Sequence, residues 1–315
     1  MSGFQDRHSG PLRIAIVGLG KIARDAHLPA VTGNAEFELV ATVDPRGGLA
    51  DRPAFTSFDK LRESGIPVDA VSICTPPAER FRLAADSIEN GIAVMLEKPP
   101  AASVADAAEL QRLALAKGVG LFAAWHSRMA PGIAPARDAL EGRPITRGNV
   151  IWREDVRQWH PGQEWIFGET GFGVFDPAIN AMSLLTAIDR SLTVHSARLF
   201  IPAGRASPIR AEAALRGAGG GRIDCSFDFV WSGEPCWSIE LSTASREIVL
   251  ERGAHSLAID GNPIELQKGD EYGRLYRKFA RVARDGAVDC DLSPLALVEG
   301  CLADGARYST HPFEF

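Results

Sequence analysis

The 315-residue chain has no excess of positive charge: 34 Lys and Arg against 40 Asp and Glu leave a formal net charge of −6. Nucleic-acid binding needs a basic face, so that class of partner is set aside. No apolar run approaches the ~20 residues of a membrane span, and no membrane partner is expected. The first stretch, Met1 to Pro11, is polar and lacks the apolar core of a signal peptide. A disordered leader over residues 1–11 is expected there. Cysteine is sparse. Cys74, Cys225, Cys236, Cys290 and Cys301 show no metal-ligand spacing, and Cys74 lies inside an apolar run. They read as reduced and structural, which implies no metal and a cytoplasmic setting.

What is present is an ordinary globular composition, 45% hydrophobic and 23% charged. The length exceeds the usual size of one hydrophobic core, so two domains are expected. The first spans residues 12–128. Leu12 to Val17 is strand-like, Gly18-Leu-Gly20-Lys21-Ile22-Ala23 follows, and a helical stretch runs to about Val31. Glu36 to Val43 is a second strand ending in Asp44. This is a βαβ unit with a G-x-G-x-x-A dinucleotide fingerprint. Gly18 allows the tight turn and Gly20 lets the backbone approach a pyrophosphate. Ala23 permits close helix–strand packing, and the helix N-terminus offers free N–H groups to the anion. Asp44 is placed to bond a ribose 2′-hydroxyl, which favours NAD. Arg46 is open to two readings, a 2′-phosphate partner or a solvated loop charge. NAD is therefore expected, with NADP tolerated.

Further strands are expected at 68–74, 92–96 and 119–124, with helices over 78–90 and 104–117 between them. Strands alternating with helices indicate a doubly wound parallel sheet. Thr75-Pro76-Pro77 ends one strand and Glu97-Lys98-Pro99-Pro100 ends the next. Two prolines stop the ladder and stiffen the backbone, which pins Lys98 at the carboxyl edge where ligands bind in such sheets.

After about residue 130 the pattern changes. Short strands are expected at 146–154, 193–200, 209–216, 222–231, 236–242, 247–251 and 256–259. Helices are expected over 175–187, 270–284 and 294–307. This is an α+β domain over 129–315 with a large, mostly antiparallel open sheet. Helices on one face leave the other to be covered, which suits an oligomer interface. One segment, Trp152-Arg-Glu154-Asp-Val-Arg-Gln-Trp159-His160-Pro-Gly-Gln-Glu-Trp165, is dense in tryptophan. Trp rings stack on the apolar face of a sugar, while Glu and His bond its hydroxyls. Trp152 and Trp165 read better as core or interface residues. Trp159 and His160 precede a Pro-Gly turn and suit a site. His126 ends the last strand of the first domain and is either a site residue or a satisfied core histidine. Asp176 and Asn180 are spaced i, i+4 on one helical face. Asp176 followed by Pro also fits a helix cap.

The fingerprint, the Thr75-Pro76-Pro77 turn and Glu97-Lys98-Pro99 together resemble the Gfo/Idh/MocA oxidoreductases. Arg80 departs from the histidine that many members carry after the proline turn. The resemblance implies an N-terminal Rossmann domain and a homodimer, or dimer of dimers, paired through the C-terminal sheet. It makes Lys98 catalytic beside the nicotinamide. Cofactor contacts fall on Gly18, Gly20, Lys21, Ile22, Asp44, Arg46, Thr75, Pro76, Glu97 and Lys98. Asp176 occupies the family's aspartate position, and Asn180 replaces a histidine that serves as acid/base in polyol-oxidising members. An amide cannot titrate, so proton removal falls elsewhere.

The whole chain, the leader over residues 1–11 excepted, is more specifically similar to the bacterial aldose 1-dehydrogenases of that family, which oxidise D-galactose and L-arabinose. The carrying stretches include Lys21-Ile-Ala-Arg-Asp, His27-Leu-Pro, Trp125-His126-Ser-Arg, the tryptophan-rich segment and Phe175-Asp176-Pro. This likeness makes Lys98, His126, Glu154, Trp159, His160, Asp176 and Asn180 sugar-site residues, with an aldose as substrate. Asp176 or Lys98 would take the C1 hydroxyl proton, with Asp176 favoured. Two alternatives stay open: an inositol- or glucose-type oxidoreductase, and a non-catalytic dinucleotide-binding regulator.

Overall fold

The computed structural model describes residues 10–315. Most of the leader expected over 1–11 lies outside the described residues. The chain first builds β1 (Leu12–Val17), β2 (Phe37–Val43), β3 (Ala54–Phe55), β4 (Ala70–Ile73), β5 (Ala93–Glu97) and β6 (Leu121–Ala124). It then builds β7 (Arg147–Arg153), β8 (Thr193–Pro202), β9 (Arg210–Arg216), β10 (Arg222–Asp228), β11 (Cys236–Ser242), β12 (Glu247–Glu251), β13 (Ser256–Ile259) and β14 (Asn262–Pro263). β15 (Val288–Asp289) and β16 (Ala306–Thr310) come last. Two compact units result. One comprises Met1–Trp125 with Asp270–Leu292, the other His126–Gly269 with Ser293–Phe315.

The first unit is a seven-stranded sheet in the order β15-β6-β5-β4-β1-β2-β3. Every pairing in it is parallel. β1, β4, β5 and β6 are almost wholly buried, as strands covered on both faces must be. The strand order reverses between β1 and β4, so their carboxyl ends open a crevice in this unit. Helix Val104–Lys117 begins where the sequence indicates: Ser103 accepts the Asp106 N–H, and Gly118 closes the helix in the left-handed region.

Residues 270–292 depart from the expected domain over 129–315, because they pack in the first unit. The reason is aromatic burial. Helix Glu271–Asp285 sets Tyr276 and Phe279 against Phe37 at 5.4 and 5.9 Å, and Phe279 against Phe122 at 6.2 Å. A fully buried Phe contributes about 2–3 kcal/mol. β15 then extends the sheet beside β6.

The second unit is a nine-stranded sheet, β14-β13-β12-β11-β7-β10-β9-β8-β16. Most pairs are antiparallel; β7–β10 and β8–β16 are parallel. Along β10, Ile223, Cys225 and Phe227 are buried and Arg222 and Asp224 exposed, the alternation of a one-faced sheet. Phe227 meets Phe175 of helix Phe175–Ile188 at 5.8 Å, which marks the inner face. The outer face carries ion pairs, including Arg210–Asp228 at 3.1 Å beside Trp231 and Phe200, and Arg222–Asp224 at 2.7 Å.

The helix expected over 294–307 runs Ser293–Asp304 and stops. Gly305 turns the chain; a Cβ there would lie 2.4 Å from the Cys301 carbonyl oxygen. Residues 306–310 then form β16 instead of a last helical turn.

Candidate functional site

Each unit carries its own set of chemically capable residues. In the first, Gly18 follows β1 with φ +89°, a conformation that favours glycine. A Cβ at Gly18 would lie 2.9 Å from the Thr75 backbone nitrogen, so the turns after β1 and β4 touch only because no side chain intervenes. Gly20 differs. A Cβ there would meet no protein atom within 4 Å, so the protein's own packing does not require glycine. A ligand running close to the backbone would. The helix over 21–32, with a π-helical stretch at Ala23–His27, starts directly after it. Ile22 is 40% exposed, and Lys21 is held by Asp25.

Asp44 is buried at the end of β2. Its carboxylate accepts the Leu19 N–H at 2.8 Å and the Arg46 N–H at 2.9 Å. The Arg46 guanidinium adds contacts at 3.1 and 3.2 Å while staying largely in solvent. Burial alone would raise this carboxyl's pKa. The Arg46 side chain and the two backbone N–H groups outweigh it and hold the group below its usual range. Thr75 Oγ1 is buried beside Gly18 without a hydrogen-bond partner. A glycine facing open space, an acid at the second strand's end and an orphaned hydroxyl together fit a dinucleotide.

Lys98 follows β5, and its backbone N–H donates to Glu97 Oε2 at 2.6 Å. The Lys98–Pro99 peptide is cis. Arg80, to which the sequence assigns no role, is buried and spans both turns. Its guanidinium donates to the Thr75 carbonyl at 2.8 Å, the Glu97 carbonyl at 2.5 Å and the Pro99 carbonyl. Pro76 caps the helix Pro77–Glu89.

In the second unit, Glu154 leaves β7 and is buried. Its Oε2 accepts the indole N–H of Trp237 at 2.8 Å. Trp237 on β11 lies between Trp152 at 6.0 Å and Trp159 at 5.7 Å. Trp152 is buried, as a core residue should be, while Trp159 keeps 39% of its surface exposed. The short helix Val156–Trp159 is capped by Asp155, which turns the chain so that His160 follows directly. His160 packs edge-on against Phe229 at 5.7 Å, and its Nε2 lies 3.4 Å from Asp176 Oδ2. Asp176 is not a cap. The helix begins one residue earlier at Phe175, with Val174 in the capping position, and Asp176 sits buried in the first turn. Asn180 lies one turn on, half-buried. His126 opens a short 3-10 helix at the start of this unit and is half-buried.

Trp237 was not foreseen from the sequence, because a tryptophan in a strand pattern carries no local sign of pairing with a carboxylate. Among the described residues no group of His, Cys, Asp and Glu could hold a metal ion. No helix among them is long and apolar enough to cross a membrane.

Residues 12–124 match the oxidoreductase family with the NAD-binding Rossmann fold known as Gfo/Idh/MocA. The chain is 37% identical to galactose 1-dehydrogenase of Pseudomonas fluorescens over 96% of its own length and 99% of the relative's. Its structure is similar to the crystal structure of D-galactose-1-dehydrogenase from Rhizobium etli, with a TM-score of 0.92 and 39% identity, covering 98% of this chain and 100% of that one. A 3-ketoreductase from Actinomadura kijaniata, solved with NADP and TDP-benzene, shares the fold at a TM-score of 0.83 and 17% identity, over 95% of this chain and 99% of that one.

Proposed function

Because the chain belongs to the Gfo/Idh/MocA family of oxidoreductases, we propose that it is an aldose 1-dehydrogenase. It oxidises C1 of D-galactose, and of D-fucose and L-arabinose, to the aldonolactone. The galactose dehydrogenases of Pseudomonas fluorescens and Rhizobium etli support the substrate class. The observation that carries the reading is the buried Asp176 carboxylate paired with His160 at the start of a helix.

When bound, the oxidised nicotinamide supplies the two-electron acceptor. Gly18, Gly20 and the start of the following helix hold the pyrophosphate, with Lys21 and Ile22 in the same turn. Asp44 bonds the ribose, and Arg46 beside it allows NADP as well as NAD. Thr75, Pro76 and Glu97 complete the cofactor contacts. Asp176 takes the proton of the C1 hydroxyl as the C1 hydrogen departs with its electron pair, and Lys98 orients that hydroxyl. Glu154, His160, Asn180 and His126 bond the remaining hydroxyls. The exposed part of the Trp159 ring packs on the sugar's apolar face.

D-galactose, D-fucose and L-arabinose share ring stereochemistry at C2 to C4 and differ in the C5 substituent. A contact to that substituent is worth about 1–3 kcal/mol, so activity extends across all three. Glucose, with an equatorial 4-hydroxyl, is a poor substrate. The protein works as a homodimer through the outer face of its nine-stranded sheet, in the cytoplasm, where its free thiols stay reduced. A panel of aldoses with NAD and NADP, followed at the nicotinamide absorbance, tests the reading. Turnover of galactose and arabinose above glucose supports it. No turnover of any aldose overturns it in favour of a dinucleotide-binding regulator.

A further inference from the structure

Five side chains from four stretches of the chain meet in the interior of the first unit: His27, Ser72, Glu97, Tyr272 and Tyr276. Glu97 is their focus. One carboxylate oxygen, Oε2, is taken by the Lys98 backbone N–H at 2.6 Å. The other, Oε1, accepts the Tyr272 hydroxyl at 2.6 Å and meets His27 Nε2 at 3.3 Å. The second ring nitrogen of His27 lies 2.7 Å from the Tyr276 hydroxyl and 3.0 Å from Ser72 Oγ. Tyr276 gives its own proton to Ser72 at 3.0 Å, which leaves its oxygen able to accept from His27. His27, Glu97 and Tyr276 are all but sealed from solvent.

The protonation states agree with this wiring. Burial alone would strip His27 of its proton; its contacts with Cys74, Tyr276 and Glu97 outweigh that and raise its pKa well above the ordinary value. Burial and the Glu97 carboxylate push the Tyr272 hydroxyl up, so it stays a donor. A buried carboxylate is costly unless every lone pair is used, and an apolar side chain would often serve stability as well. Here one of its partners is the peptide of Lys98. Arg80 holds the carbonyls on either side of that residue. Two of the five side chains, Tyr272 and Tyr276, come from helix Glu271–Asp285, the late segment that packs in this unit.

We propose that His27 and Tyr272 are positioning residues for Lys98, acting through the Glu97 carboxylate. The inference rests on the reading of Lys98 as a catalytic residue. Neither side chain touches substrate. They hold Oε1 of Glu97, which orients the carboxylate whose Oε2 takes the backbone N–H of the lysine. Misplacement of a catalytic group by about 1 Å can cost 100-fold in rate, so small adjustments here reach the chemistry.

The test uses the full chain with galactose and NAD. Tyr272→Phe removes one hydroxyl and keeps the ring that packs edge-on against His27 at 4.9 Å. The expected result is a fall in kcat of about tenfold or more. The KM for sugar, the Kd for NADH and the thermal midpoint stay close to those of the parent. His27→Gln, whose amide can still donate to Glu97, is expected to keep more activity than His27→Leu, which cannot. In a Lys98→Met background, Tyr272→Phe leaves whatever turnover remains unchanged. A parental kcat in Tyr272→Phe overturns the inference. So does a loss that follows NADH binding, or an equal loss in the Lys98→Met background. Should Tyr272→Phe fail to fold, the Gln-against-Leu contrast at His27 decides alone, and equal kcat in those two overturns it. Parental activity in Lys98→Met itself would instead sink the reading of Lys98.

Discussion

His160 Nε2 lies 3.4 Å from Asp176 Oδ2, joining the loop after a short helix to the first turn of a longer one. A ring nitrogen that donates to a carboxylate orients it, and the carboxylate in turn fixes the ring. If Asp176 takes the substrate proton, its loss is worth the ~10²–10⁴-fold typical of general base catalysis. Asp176→Asn is therefore expected to lower kcat by at least ~100-fold while NADH still binds. His160→Ala is expected to lower it less and to raise the KM for sugar. Because the two side chains form one unit, the double variant should be no slower than Asp176→Asn alone. Steady-state kinetics on the three proteins checks this, and additive losses would separate the two residues.

Arg46 clamps the Asp44 carboxylate with its guanidinium yet stays mostly exposed. It masks a charge that would repel a 2′-phosphate and can turn toward one. Arg46→Ala should lower kcat/KM for NADP by about tenfold, near 1.4 kcal/mol, and leave NAD within about twofold. Equal losses with both cofactors would reduce Arg46 to a prop for the loop.

The same pair sets a pH dependence. The carboxyl of Asp44 has a depressed pKa in the folded protein. Its contribution to stability is therefore fully present above the unfolded value of about 3.9 and lost as pH falls through the folded one. Asp44→Asn should be less stable than the parent near neutrality, and the gap should begin to narrow as pH falls below about 4. Thermal midpoints of the cofactor-free proteins at pH 7 and pH 3.5 read this directly. A gap that stays constant would mean that shape, not charge, links Asp44 to Leu19.

Much of this architecture was legible because burial on both faces leaves unbroken apolar runs, as in β1 and β5, and because prolines and glycines bound them. Two-residue edge strands, Ala54–Phe55 and Val288–Asp289, have no room for a pattern. Helix Ile133–Leu140 was hidden by Pro135 and the Pro-Gly before it. Gly305 was a readable stop signal for the preceding helix. The placement of Tyr276 and Phe279 was not readable, since their partners Phe37 and Phe122 lie more than 150 residues away in sequence. The site follows the same division. Glu154, Trp159, His160 and Asp176 stand in segments dense with unusual residues. Trp237, Tyr272 and Arg80 sit in ordinary strand and helix patterns and acquire meaning only through distant partners.

The thiols offer a last test, of burial. All five cysteines are free, and only Cys236 is more than slightly accessible. Burial pushes the Cys290 and Cys301 thiols up to about 12, and Cys225 upward as well. The thiolate is the reactive form, so a group held that high is almost wholly protonated at pH 8. Titration of the native protein with a disulfide reagent at pH 8 should release about one equivalent quickly, lost in Cys236→Ser. The other four should react only after unfolding in guanidinium. A second fast equivalent in native Cys236→Ser would mean that one of the units opens locally on the timescale of the reagent.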